Sequence, residues 1–242
     1  MRAPRIYVPD LDISRDTVRI DGQAAKHLLQ VLRTKPGQQI ILFDGSGTES
    51  LATVTAVERQ TICANINSSH TQNRESNIRI TLVQGISRGE RMDWTLQKAT
   101  ELGVARIMPV FSQRSMVKLD GKRLLSRMQH WQGIIQHACE QCGRNILPEL
   151  VTPVTFAESL QDQNNKSTNL YLEPEGGRRL KALSPADNIR LFVGPEGGFS
   201  PDEKTAMQTH NVLPLNLGPR ILRTETAALA AITAMGVLWG DL

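Results

Sequence analysis

From Ile78 onward the chain alternates short apolar runs with longer amphipathic stretches, and this alternation restricts the fold more than any other feature of the sequence. Ile78 to Val83, Arg106 to Phe111, Leu170 to Leu172, Ile189 to Val193 and Leu213 to Leu217 are too short for helices and apolar enough to be buried strands. Between them, Met92, Leu96, Ala99 and Leu102 recur near helical spacing, as do Leu124, Met128, Trp131, Ile135, Ala138 and Cys142. Strands separated by helices predict an α/β fold with a mainly parallel sheet. A further helix is expected after Ser200-Pro201-Asp202-Glu203, where Ser suits the cap and Pro the first turn, and a last one from about Thr224 to Trp239.

The first seventy or so residues read differently. Val18 to Ile20, Gln38 to Phe43, Ser50 to Val57 and Ile62 to Ile66 are candidate strands of a small β-rich domain, with Asp44-Gly45-Ser46-Gly47 as a hairpin connection. A helix is expected around Ala24 to Leu32, capped by the side chain of Asp21. Asn67 to Asn77 is polar throughout and reads as a linker, which gives two domains, residues 1–72 and 73–242. No run of about 18 apolar residues occurs, and Met1-Arg2-Ala3-Pro4-Arg5 leads into no apolar signal core, so a cytoplasmic protein with no membrane partner is expected. Three cysteines fit a reducing compartment.

Leu191-Phe192-Val193 runs into Gly194-Pro195-Glu196-Gly197-Gly198, a glycine loop at the carboxyl end of a strand, where open α/β sheets bind ligands. A strand-to-helix turn needing positive φ explains the same glycines. Neither G-x-x-x-x-G-K-[ST] nor G-x-G-x-x-G is present, so P-loop and dinucleotide sites are excluded. In Leu217 to Thr226, a Gly-Pro turn precedes Arg223, Thr224 and Glu225 at the start of an Ala-rich helix. The helix dipole accounts for Glu225 but not for Arg223, which is better read as binding an anion or a carboxylate.

Gly194-Pro195-Glu196-Gly197-Gly198 together with Leu217-Gly218-Pro219-Arg220-Ile221-Leu222-Arg223-Thr224-Glu225-Thr226-Ala227 resembles the two cofactor-loop signatures of the RsmE-type ribosomal RNA methyltransferases in the SPOUT superfamily. Arg88-Gly89-Glu90-Arg91-Met92-Asp93, Gln97-Lys98-Ala99-Thr100-Glu101-Leu102-Gly103 and Glu140-Gln141-Cys142-Gly143-Arg144 resemble it too, so the likeness covers nearly the whole chain. The resemblance implies a PUA-like N-terminal domain, a C-terminal trefoil-knotted domain, a homodimer, and methyl transfer from S-adenosylmethionine to N3 of a uridine in 16S ribosomal RNA of the small subunit. It places Leu172, Gly194, Pro195, Glu196, Gly197, Leu217, Gly218, Ile221, Leu222 and Thr226 around the cofactor, held mostly through backbone groups. Arg223 and Glu225 are the catalytic candidates, because the N3 proton must leave and the resulting anion needs stabilising. No metal is required, since the sulfonium already activates the methyl group.

Cys139 and Cys142 stand at a metal-like spacing, but zinc normally needs two more ligands and the remaining cysteine is Cys63, so packing is the expected role. Glu140, Gln141 and Arg144 are the stronger candidates in that segment. The histidines show no metal-ligand spacing. Residues 74–127 hold 11 Lys/Arg against 5 Asp/Glu, which locates the excess positive charge in mid-chain. Arg88, Arg91, Arg114 and Lys118 are the candidates for RNA phosphate contact, with Arg5 and Arg33 adding from the small domain, whereas Lys122 and Arg123 fit a solvated helix face. A non-catalytic RNA-binding or ribosome-assembly factor of the same fold, and a phosphate-binding α/β enzyme acting on a small metabolite, are the alternatives.

Overall fold

The computed structural model describes residues 3–13, 15–117, 119–161 and 167–242. Contacts divide the chain into two units, one comprising the described residues up to Glu75 with Cys139–Leu147, the other Ser76–Ala138 and Pro148–Leu242.

The first unit is a five-stranded sheet of β1 (Arg5–Tyr7), β2 (Thr17–Ile20), β3 (Gln39–Phe43), β4 (Thr48–Val57) and β5 (Ile62–Thr71), in the order β1-β3-β4-β5-β2. Alternation puts Ile40, Leu42, Ala52, Val54, Ile62 and Ala64 on a covered face, where they join Ile6, Ile20, Ala25 and Leu28 in one core. Sequence patterning ends β5 at Ile66, yet the strand runs five residues into the expected linker. Polar cross-strand pairs hold that extension: the Ser50 and Ser69 hydroxyls lie 2.7 Å apart, and Thr53 Oγ1 donates to Asn67 Oδ1 at 2.8 Å. The expected helix is α1 (Gly22–Lys26) followed by a wider π-type turn at His27–Val31. Asp21 sits at the cap position, but its carboxylate accepts from Thr61 Oγ1 at 2.5 Å and Arg19 Nε at 3.1 Å, so it caps nothing.

A buried charge cluster corrects three further expectations. β1, which apolar patterning did not reveal, pairs with β3 and draws Arg5 inside to 7% exposure. Its guanidinium is ion-paired to Glu49 and donates to Asn145 Oδ1 at 2.5 Å, so Arg5 is not available to RNA. Residues 139–147 join this unit instead of the second one. The Tyr7 amide donates to Glu140 Oε1 at 2.9 Å, Arg144 pairs with Glu75, and Arg74 Nη1 donates to the Gly143 carbonyl at 2.6 Å. Glu140 and Arg144 therefore act as structural pins. Cys139 packs as expected, with burial pushing its thiol up to about 12.

Glu49 is the hub of the cluster. Burial opposes its ionisation, but hydrogen bonds from Arg74 and Arg5 and the charge of Arg5 outweigh that, holding the carboxyl at about 2 against an ordinary 4.5. Because the folded value is depressed, the stabilisation is complete above the ordinary value and is lost as pH falls toward the folded one; it amounts to about 3 kcal/mol. Glu49→Gln should lower stability at neutral pH by about that much and flatten the acid limb of the stability profile, as read by urea unfolding across pH.

The second unit contains β6 (Arg79–Gly85), α2 (Glu90–Glu101), β7 (Arg106–Phe111), α3 (Gly121–Cys142, to Ala138 in this unit), β8 (Glu149–Leu150), β9 (Val154–Thr155), α4 (Phe156–Gln161), β10 (Thr168–Leu172), β11 (Asn188–Val193), α5 (Pro201–Thr209), β12 (Leu213–Leu215) and α6 (Thr224–Trp239). The sheet order is β12-β10-β11-β6-β7-β8 with β9 also on β7, and every pairing is parallel. Central strands covered on both faces explain the largely apolar runs, Ile189 to Val193 being buried at every position, Arg190 included. Ser200 and Glu203 form a reciprocal capping box at the start of α5, with Pro201 in its first turn. No helix among the described residues is long and apolar enough to cross a membrane.

Candidate active site

β10 and β11 step toward the centre of the sheet, and β12 then returns past β10 to the edge. Where that direction reverses, the carboxyl ends of the three strands open a cavity of about 600 Å³ whose lining includes Leu172, Val193 and Leu215. Both glycine-containing segments singled out in the sequence border it: Gly194, Pro195, Glu196 and Gly197 on one side, Leu217, Gly218, Ile221 and Leu222 on the other. Arg223 and Glu225 also line it, whereas Thr226 is exposed and outside the lining. Ile221 is 82% exposed, an apolar side chain on an open rim.

The first loop is held in place from below. Val193 pairs with Gln84 in the register of β11 on β6, so the loop starts beside the end of β6. Gly85 has no side chain because a Cβ there would stand 2.5 Å from Pro195 Cδ. Thr224 Oγ1 donates to the Gly194 carbonyl at 2.6 Å and accepts from the buried Gln84 amide at 3.1 Å, tying loop, strand and α6 together. Gln84 did not stand out in the sequence, and Thr224 was read only as part of a helix start; the tie between them comes from the register.

The sides of the loop are held by charge. Glu196 Oε1 accepts from the Arg88 amide and from Arg91 Nη1, each at 3.0 Å, and Arg114 Nη1 donates to the Gly197 carbonyl at 2.9 Å. Burial opposes ionisation of Glu196, but these donors and its own amide hold its carboxyl below the usual range. Arg91 and Arg114, expected at phosphates, thus brace the loop while also lining the cavity. Arg88 and Arg33 are exposed, and Lys118 lies outside the described residues.

The second loop is fastened by Asn216, which the sequence left inside a strand that in fact ends at Leu215. Its side-chain amide donates to the Pro174 carbonyl at 2.7 Å, and its Oδ1 accepts from the Gly218 amide at 3.0 Å. Glu173 and Lys204, also unforeseen, both line the cavity and pair at 2.6 Å. Glu225 Oε2 is buried with no hydrogen-bond partner, and Arg223 makes no ion pair among the described residues.

A backbone-lined ligand site at the strand ends of a parallel α/β sheet, edged by an acid and a base, defines a class of group-transfer site. The chain matches the RNA methyltransferase domain family over residues 74–236 and the RNA methyltransferase PUA domain over residues 20–67, and it belongs to this family. The ribosomal RNA small subunit methyltransferase E of Buchnera aphidicola is 32% identical over 247 residues, covering 100% of this chain and 98% of the relative. A ribosomal RNA small subunit methyltransferase E of Neisseria gonorrhoeae, solved bound to S-adenosyl methionine, superposes with a TM-score of 0.93 at 40% identity over 100% of both chains. A methyltransferase of Legionella pneumophila, solved with bound cofactor SAM, gives 0.97 at 39% identity, again over 100% of both.

Thr224→Val should leave the Gln84 amide and the Gly194 carbonyl without their partner and cost about 1–3 kcal/mol of stability. It should also speed amide hydrogen exchange in the 194–198 loop ahead of the rest of the sheet, and Thr224→Ser should restore protection. Equal exchange in all three proteins would rule out the tie.

Proposed function

We propose that this RNA methyltransferase takes S-adenosylmethionine in the cavity between the two loops and methylates N3 of one uridine in 16S ribosomal RNA of the small subunit. The observation that carries the reading is the cavity itself, backbone-walled at the ends of three parallel strands, in a chain aligned over its full length with two cofactor-bound structures. Chemistry of the lining fits a zwitterionic, sulfonium-bearing ligand. Glu225 places a carboxylate in the lining beside positive charge, and the glycines leave backbone groups accessible. Leu172, Gly194, Pro195, Glu196, Gly197, Leu217, Gly218, Ile221 and Leu222 would hold the cofactor; Thr226, exposed and off the lining, would not.

When bound, the cofactor supplies an already activated methyl group. The protein's part is to align a uridine with it and to manage one proton. Glu225, at the start of α6, takes the N3 proton; Arg223, at the cap of that helix and without an ion pair among the described residues, stabilises the anion through a ring carbonyl oxygen. Arg33, Arg88, Arg91 and Arg114 contact RNA phosphate. The family resemblance extends the proposal to a knotted C-terminal segment, a homodimer and a cytoplasmic location.

Calorimetry should detect S-adenosylmethionine binding; none would leave a non-catalytic RNA-binding or ribosome-assembly factor. Mass mapping of 16S RNA from a strain lacking this protein, before and after treatment, should then restore one methyl mark on a uridine. Arg223→Ala should lower turnover about 100-fold with cofactor affinity unchanged. An equal loss of affinity would make Arg223 a binding residue.

A further inference from the structure

α3 presents a basic face that the cavity does not account for. Leu119, Lys122, Arg123, Ser126, Arg127 and His130 line one surface depression, at the spacing of a single helix face. Lys122, Arg123, Ser126 and His130 are exposed and Arg127 is half-buried.

Two other helices of this unit, α2 and α5, mix their charges. α2 carries Glu90, Asp93 and Glu101 beside Arg91 and Lys98, and α5 carries Asp202 and Glu203 beside Lys204. Between Asp120 and Glu140 the chain contains no acidic residue. The carboxylate that reaches this face, Asp93 on α2, is taken by His130 Nε2 at 2.8 Å. Lys122, Arg123 and Arg127 have no acidic partner among the described residues. Three unneutralised cations on a rigid helix repel one another, and an anionic partner removes that repulsion.

The placement says which anion. The His130–Asp93 bond seats α3 on the first turn of α2, and the same turn carries Arg91, which pairs with Glu196 and lines the cavity. A polyanion that inserts one base into the cavity must continue past this turn, and the α3 face lies beside it. We infer that the α3 face of Lys122, Arg123 and Arg127 carries the phosphodiester backbone of the RNA flanking the target base. The inference rests on the RNA methyltransferase reading of the cavity, but it concerns a surface outside it.

The test uses the full-length protein and a small-subunit ribosomal RNA transcript. Lys122→Glu/Arg123→Glu/Arg127→Glu should weaken RNA binding more than tenfold and reduce the slope of log affinity against log salt by about 2, because each phosphate contact contributes about 0.7 on single strands and about 0.9 on duplex. The triple Gln variant, which keeps helix-forming residues, should show the slope change if charge reversal impairs folding. KM for RNA should rise with kcat near wild type, and S-adenosylmethionine affinity should not change. RNA affinity and salt slope equal to wild type would overturn the inference, as would a change in the oligomeric state of RNA-free protein, which would make the face a protein interface. If wild type itself shows no salt-sensitive RNA binding, the RNA methyltransferase reading fails instead.

Discussion

The hydrogen bond from Thr224 to the Gly194 carbonyl joins the start of α6 to the end of β11, and the cavity depends on it. A parallel sheet brings strand ends to one edge, but it does not decide how the loops leaving those ends are arranged. Gln84, Gly194 and Thr224 lie far apart in sequence, and only the β6–β11 register and the return of α6 to the sheet make them neighbours. Fixing α6 there fixes Arg223 and Glu225 against the glycine loop, because both belong to its first turn or its cap. Alanine at 227, 228, 230 and 231 suits the same end: a helix with small side chains can approach strands closely, and Ala228 and Ala231 are fully buried.

Around that tie, charge is arranged so that some groups are neutralised and others are not. Glu196 is satisfied by Arg88 and Arg91, and Glu173 by Lys204. These pairs rigidify the walls and leave the cavity's electrostatic character to Arg223 and Glu225. A preorganised pair of this kind costs no reorganisation when charge shifts between a base proton and a ring oxygen. Arg223 and Glu225 are adjacent to backbone-held loops, so their positions are inherited from hydrogen bonds and not from flexible side-chain contacts.

The strand-helix alternation was legible because buried parallel strands are written as mostly apolar runs; Ile189 to Val193 is buried at every residue, with Arg190 the one charged member. The ends of elements were legible only where they carry local chemistry, as at Ser200-Pro201-Asp202-Glu203. β1 was missed because three residues paired at an edge have no periodicity to read, and with it the burial of Arg5 was missed. The extension of β5 was hidden for the opposite reason: its outer end is held by Ser, Thr and Asn pairs that look like linker composition. In the site, the glycine segments announced themselves, while Gln84, Asn216, Glu173 and Lys204 did not, since hydrogen bonds and ion pairs across the sheet leave no local pattern.

Positive charge shows the same limit. A count along the chain treats all Arg and Lys alike, but buried or bracing cations do different work from free ones. Arg5 and Arg144 are buried and spent on Glu49, Asn145 and Glu75, whereas Arg91 and Arg114 brace the glycine loop from exposed positions that leave them open to phosphate as well. Burying a guanidinium is tolerable only because those partners satisfy it, so such residues contribute to folding more than to long-range attraction. Lys122, Arg123 and Arg127 have no such partners among the described residues and sit on a stretch of α3 without acids, where their field extends into solvent. Within the mid-chain excess of basic residues, Arg91 and Arg114 brace the glycine loop while Lys122, Arg123 and Arg127 face solvent from α3, and the acceptor each finds, or does not find, among the described residues sets the difference.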